Sequence, residues 1–231
     1  MTRPTTTAAS LPPIHGELVR LAVSIAVAAA LWTLMFSPCT APYMPFWSSM
    51  TAAALVLTGL ALTFGGPASL GLGTAGRNAS RRRFAAGSLL LGVAIAAALW
   101  VVFWVGDKVS QWMFAFARGQ VDLIYGMKGT MRPAELALLL LFIIGPAEEI
   151  FWRGYVQRTL ARRYSPAVAF VATTAVYALV HLPSANFMLI MAALVCGVAW
   201  GGLYWLMPRR LGAIIVSHAL WDAAAFVWLP F

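Results

Sequence analysis

Long apolar runs recur along the chain, separated by short segments that collect its prolines, glycines and charges. Runs near twenty residues are the length that crosses a bilayer as a helix. The first covers Leu18–Phe36 and stops at Ser37-Pro38. After a turn containing Pro38, Pro42 and Pro45, the second covers Trp47–Phe64, and Gly65-Gly66-Pro67 ends it. The third, Phe84–Val105, finishes on Trp100, Phe103 and Trp104, an aromatic end suited to a membrane interface. Residues 107–132 then mix Asp107, Lys108, Arg118, Asp122, Lys128 and Arg132 with Trp112, Phe114, Phe116 and Tyr125. That mixture predicts an amphipathic segment lying on the membrane. A fourth span begins at Pro133 and continues as a polar-faced helix through Arg153, Arg158, Arg162 and Arg163 to Tyr164, where Ser165-Pro166 turns the chain. Ala167–Leu182, Phe187–Leu206 and Leu211–Trp228 complete the set. The expected fold is all-α: a polytopic transmembrane helical bundle of about seven spans plus an interfacial amphipathic segment. Residues 1–16, rich in Thr, Ala and Pro, read as a disordered tail.

Composition agrees. Hydrophobic residues make up 61% of the chain and charged residues 10%, with a mean hydropathy of +0.82. A soluble domain carries about 25% charged residues, so the chain reads as an integral multi-pass membrane protein. Its 231 residues fit one bundle without a separate soluble domain. The net charge of +9 is gathered in short segments between spans. That is the pattern of loops meeting anionic lipid, so the bilayer rather than nucleic acid is the expected partner. Twelve of the sixteen Lys and Arg fall in the tail and around the turns after spans two, four and six, which places the N-terminus in the cytoplasm. Compact size and an Ala- and Arg-rich composition suit a bacterial cytoplasmic (inner) membrane. The first apolar run is too long for a cleavable signal peptide. Two cysteines, Cys39 and Cys196, offer neither a disulfide framework nor a thiolate metal site. The Gly-rich stretch 71–76 follows no strand and lacks a P-loop lysine, which argues against phosphate binding.

Against this background Glu148 and Glu149 stand out. A charge at bilayer depth costs at least about 2.5–3.5 kcal/mol, so adjacent carboxylates need a compensating reason. Glu149 and Arg153 are spaced for an i,i+4 ion pair with the acid first, the favourable order. Glu148 is rotated about 100° away and stays available. Pro146 suits a first helical turn, so the helix is expected to break at Gly145-Pro146 and restart beneath the two acids. Glu148 and His181 lie equally far from the Tyr164-Ser165 turn, roughly 24 Å at 1.5 Å per residue, and are expected to share a water. His218 and Asp222 form another i,i+4 pair, and Asp222 can fix the imidazole tautomer. Measured from Leu211, however, His218 lies only about 10 Å into the bilayer, a depth that does not match. Two Glu, two His and one Asp form a hydrolytic constellation. A Glu can act as base on water, a His can share that proton or act as acid, and a second His can donate to an oxyanion. The same set could instead bind zinc through Glu148, His181 and His218. Neither a His-Glu-x-x-His motif nor a serine-nucleophile elbow is present.

Glu148-Glu149-x-x-x-Arg153, Tyr177-x-x-x-His181 and His218-x-x-x-Asp222, with Phe151-Trp152-Arg153-Gly154-Tyr155 and His218-Ala219-Leu220-Trp221-Asp222 around them, resemble the motifs of the CPBP intramembrane proteases. That family includes type II CAAX prenyl endopeptidases and bacterial Abi proteins. The resemblance runs from about Arg132 to Ala225. It implies that 132–231 is a catalytic core and 17–131 a set of N-terminal transmembrane helices with the interfacial segment. It also implies an intramembrane peptidase of the glutamate type, acting on a membrane-anchored protein or peptide such as a C-terminal anchor. Glu148 and His181 would activate water and His218 would help form the oxyanion hole, with Glu149 and Arg153 in support. No cofactor is then required, and zinc is the alternative. Two positions depart from the family pattern. Tyr177 stands where many members carry Phe, and Asp222 where Asn is frequent. An ionised Asp only accepts hydrogen bonds, so Asp222 is expected to orient His218. A non-catalytic, immunity-type membrane protein is the alternative function. The oligomeric state is left open.

Overall fold

The computed structural model describes residues 14–70 and 79–231, and among those residues every regular element is helical. The main helices are α1 (Ile14–Phe36), α2 (Phe46–Gly65), α3 (Ala79–Met113) and the short α4 (Ala117–Gly126). Next comes α5, over 133–163, a continuous run of alternating α- and π-helical segments. It is followed by α6 (Pro166–Leu179), α7 (Phe187–Leu206) and α8 (Leu211–Ala223), the last extended by a π turn over Ala224–Trp228. Six stretches are long and apolar enough to cross a membrane: Gly16–Phe36, Phe46–Gly65, Ala86–Met113, Pro166–Ser184, Phe187–Leu206 and Pro208–Trp228. The remaining expected span is α5, the helix that carries the carboxylates. The chain is an integral membrane protein, and backbone polarity in hydrocarbon explains why its spans are helices. The tail expected over 1–16 lies outside the described residues as far as residue 13, and α1 already runs from Ile14. The Gly-rich stretch 71–76 also lies outside them.

Two expectations are corrected. The segment 107–132 is not one interfacial element. Residues 107–113 extend α3, and only Ala117–Gly126 forms a separate amphipathic helix. Asp107 does not end α3, because its carboxylate is buried and bonded by Lys108 (2.9 Å) and Gln111 (2.7 Å). Nor does the helix break at Gly145-Pro146. Ile144 and Gly145 keep helical dihedrals, and the Gly145 N–H reaches the Leu140 carbonyl, a π-type bond. Proline lacks a donor and crowds the carbonyl one turn back; the wider π turn over Leu140–Ile144 absorbs both effects, so the helix continues. The two glutamates therefore sit mid-helix, without the free N–H groups of a helix start.

Close helix approaches set the heights of the site residues. A Cβ on Gly154 would lie 2.0 Å from the Ser69 carbonyl oxygen and 3.2 Å from Leu211 Cδ2. A Cβ on Gly145 would lie 2.8 Å from Ala219 Cα. The start of α8 thus lies level with Gly154, and Ala219 with Gly145. Small residues permit such contacts between membrane helices. At the hairpin turn Ser165 caps α6 by accepting from the Val168 N–H, and Glu17 of α1 pairs with Arg162 and Arg163. At the opposite end α4 is tied to α7. Asn186 Nδ2 donates to the Gln120 carbonyl (2.9 Å), and Gln120 Oε1 accepts from the Met188 N–H (3.0 Å).

Candidate active site

Glu148, Tyr177, His181, His218 and Asp222 all line one cavity of about 510 Å³ inside the bundle. The depth discrepancy at His218 is resolved by packing. Because α8 starts level with Gly154 rather than at the edge of the bilayer, its eighth residue, His218, rises to the level of the acids. Apart from this polar group the wall is chiefly apolar, with Phe36 and Trp47 from α1 and α2, Phe103 and Met113 from α3, and Phe187 and Cys196 from α7.

The two adjacent acids have different environments. Glu149 is fully buried, and its Oε1 accepts from Arg153 (2.8 Å) and from His218 Nδ1 (2.7 Å). Arg153 is itself buried, with its guanidinium 4.9 Å from the Tyr177 ring centroid and 5.8 Å from that of Trp200. Glu149, Arg153 and the two rings therefore compensate a charge pair out of reach of water. Glu148 points to the cavity instead. Its Oε2 accepts from the Tyr177 hydroxyl at 3.0 Å. Tyr177, one of the two positions expected to depart from the family pattern, thus holds the carboxylate of Glu148.

His218 is held on three sides. Nδ1 donates to Glu149, Nε2 faces Asp222 Oδ2 at 3.4 Å, and the indole of Trp200 stacks on the ring at 3.7 Å, 17° from parallel. A contact between Nε2 and a carboxyl oxygen needs a proton on one of them. Sequence reasoning paired His218 with Asp222 alone and missed both Glu149 and Trp200. Contacts between separate helices leave no spacing signature to read. His181 lies just past the C-terminus of α6. Its Nδ1 donates to the Tyr177 carbonyl (2.8 Å) and its Nε2 accepts from the indole N–H of Trp32 (3.2 Å). Trp32, from α1, was not foreseen either.

A zinc ion held by Glu148, His181 and His218 would need a lone pair from each imidazole directed at the metal. Both nitrogens of His181 are engaged, and those of His218 face two carboxylates. Among the described residues no group of three His, Cys, Asp or Glu is placed to hold a metal. As arranged, the donor set does not fit zinc.

Residues 131–224 match the family model described as Type II CAAX prenyl endopeptidase Rce1-like. The resemblance read from the three motifs is borne out. The match spans α5 to the end of α8 and so includes the carboxylate pair, Tyr177, His181, His218 and Asp222. It supports a CAAX-type intramembrane protease in general terms. Neither curated proteins nor solved structures gave a match to the chain.

Proposed function

We propose that the protein is an intramembrane endopeptidase of the glutamate type that hydrolyses a peptide bond in a membrane-associated protein or peptide. The observation that carries this reading is the placement of Glu148, His181, His218 and Asp222 on one chiefly apolar cavity. A water at Glu148 gives up a proton to the carboxylate as its oxygen attacks the scissile carbonyl carbon. His181 Nε2 orients that water through its second hydrogen. The carbonyl π electrons move onto oxygen, and the Nε2–H of His218 donates to the oxyanion. Glu149 fixes Nδ1 of that ring, Arg153 pairs with Glu149 and holds it in place, and Asp222 orients the Nε2 side. Collapse of the tetrahedral intermediate breaks the C–N bond, and the proton held by Glu148 passes to the leaving amine. The chiefly apolar wall lowers the local dielectric, which strengthens each of these interactions. No step requires a metal.

We place the protein in a bacterial inner membrane with its N-terminus cytoplasmic, on the strength of its Lys and Arg distribution. In that orientation the Arg162–Glu17 turn is cytoplasmic, and the cavity extends toward the outer face, where Phe36, Phe46, Met113 and Phe187 lie. The test is cleavage of a membrane-anchored reporter by purified protein in lipid. Glu148→Ala and His181→Ala should abolish product while retaining the wild-type melting profile. Full turnover by either variant, or wild-type activity that disappears in chelator and returns with zinc, would sink this mechanism.

A further inference from the structure

The hydrogen-bond network around His181 fixes its hydrogen. The Tyr177 carbonyl only accepts, so Nδ1 must carry the hydrogen that bridges the 2.8 Å contact. An indole N–H only donates, so Nε2 receives Trp32 with its lone pair at 3.2 Å. A neutral imidazole has one such lone pair. In this arrangement it is spent, and His181 has nothing left with which to hold a water. The bond to the Tyr177 carbonyl alone already sets the tautomer, so Trp32 is redundant for that purpose. Its effect is to occupy the one atom that the proposed reaction needs. Trp32 is fully buried and meets the His181 ring edge-on, with centroids 6.2 Å apart at 82°. It does not line the cavity. Phe36 and Tyr177 complete the contacts of the ring, at 5.5 and 5.3 Å. The ionisable groups that share its cavity are Glu148, Asp107, Tyr125, Tyr177, Cys196, His218 and Asp222. Trp32 also lies outside the stretch that matches the family, 131–224.

We propose that Trp32 is a positioning residue that caps His181 in a resting state, and that its indole N–H must leave Nε2 before His181 can orient water. The proposal rests on the reading of His181 as part of the hydrolytic site and adds a step to it. A neutral hydrogen bond of this kind shifts an equilibrium by about two- to tenfold. Trp32→Phe keeps an aromatic ring in place and removes the donor. Turnover of the reporter should therefore rise about two- to tenfold in kcat, with KM unchanged because the residue does not touch the cavity. A fall in kcat, or a change confined to KM, would show a packing role and overturn the proposal.

A second measurement needs neither a variant nor activity. In the wild-type protein in lipid nanodiscs, 15N spectra of labelled histidine should show His181 as the pure Nδ1–H tautomer. Its Nε2 resonance should be displaced by the accepted hydrogen bond, with a correlation to the Trp32 indole. A hydrogen on Nε2, or no such correlation, would overturn the cap. The two readings fail separately. An inactive wild type with the capped tautomer would remove the peptidase reading and leave the hydrogen-bond assignment standing, whereas an active wild type with Nε2 protonated would do the reverse.

Discussion

The adjacent acids offer the sharpest contrast, because the same isosteric change should have opposite consequences one residue apart. Glu149→Gln removes one charge from a buried group of Glu149, Arg153 and His218 whose contacts are 2.8 and 2.7 Å. Arg153 is left charged with no carboxylate in contact. Breaking a buried pair from one side costs about 3–5 kcal/mol. The rings of Tyr177 and Trp200, 4.9 and 5.8 Å from the guanidinium, still compensate part of that charge and favour the lower figure. For a chain of this size about 3 kcal/mol corresponds to a fall in melting temperature of roughly 6–12 °C. Glu148→Gln leaves an amide that still accepts from the Tyr177 hydroxyl, so the cost should stay within about 1 kcal/mol. Yet an amide cannot take a proton from water, so turnover should vanish. The assay pairs thermal unfolding in one fixed detergent with reporter cleavage in lipid. If Glu149→Gln melts with the wild type, or Glu148→Gln melts as early as Glu149→Gln, the division of roles between the two acids is wrong.

Two further outcomes follow from packing. Gly145→Ala puts a methyl group 2.8 Å from Ala219 Cα, where about 3.6 Å is needed, so α5 and α8 must part by nearly 1 Å beside His218; displacement on that scale should lower kcat by about 100-fold with a modest loss of stability, while Gly59→Ala, which meets nothing within 4 Å, should leave both unchanged. Glu17→Gln weakens the tie between α1 and the turn at Arg162 and Arg163, and should lower the melting temperature by a few degrees without changing kcat of the folded protein; a change in kcat at full stability would contradict a purely structural role.

Helix identity was legible because the chain sits in hydrocarbon, where length and apolarity nearly decide the element. The spans ending at Phe36 and Leu206 are found where the pattern put them. Chemistry within one helix was also legible, since i,i+4 spacing brings Glu149 to Arg153 and His218 toward Asp222. What the pattern could not carry was backbone register. A π turn before Pro146 looks, in sequence, the same as a break, because both begin with a proline that lacks a donor. Nor does an apolar run reveal how deep a neighbouring helix starts. The height of His218 depended on Gly154 letting Leu211 approach, a contact between residues 57 positions apart.

The same limit explains why the aromatic surroundings of the candidate residues were missed although the residues themselves converge on one cavity. Acids and histidines are rare in an apolar chain and draw notice, whereas tryptophans are expected there as anchors and packing. Trp200 stacks on His218 and Trp32 caps His181, and each reads in sequence as one more hydrophobic residue. In a bilayer-buried site these indoles take the place that water and charged groups hold in a soluble enzyme. They present a flat apolar face or a single N–H donor, and they contribute no net charge to a medium that penalises one. On the proposed reading, the ionisable residues of α5, α8 and the end of α6 carry the reaction, while Trp32, from a helix outside the family match, sets the state in which the site waits.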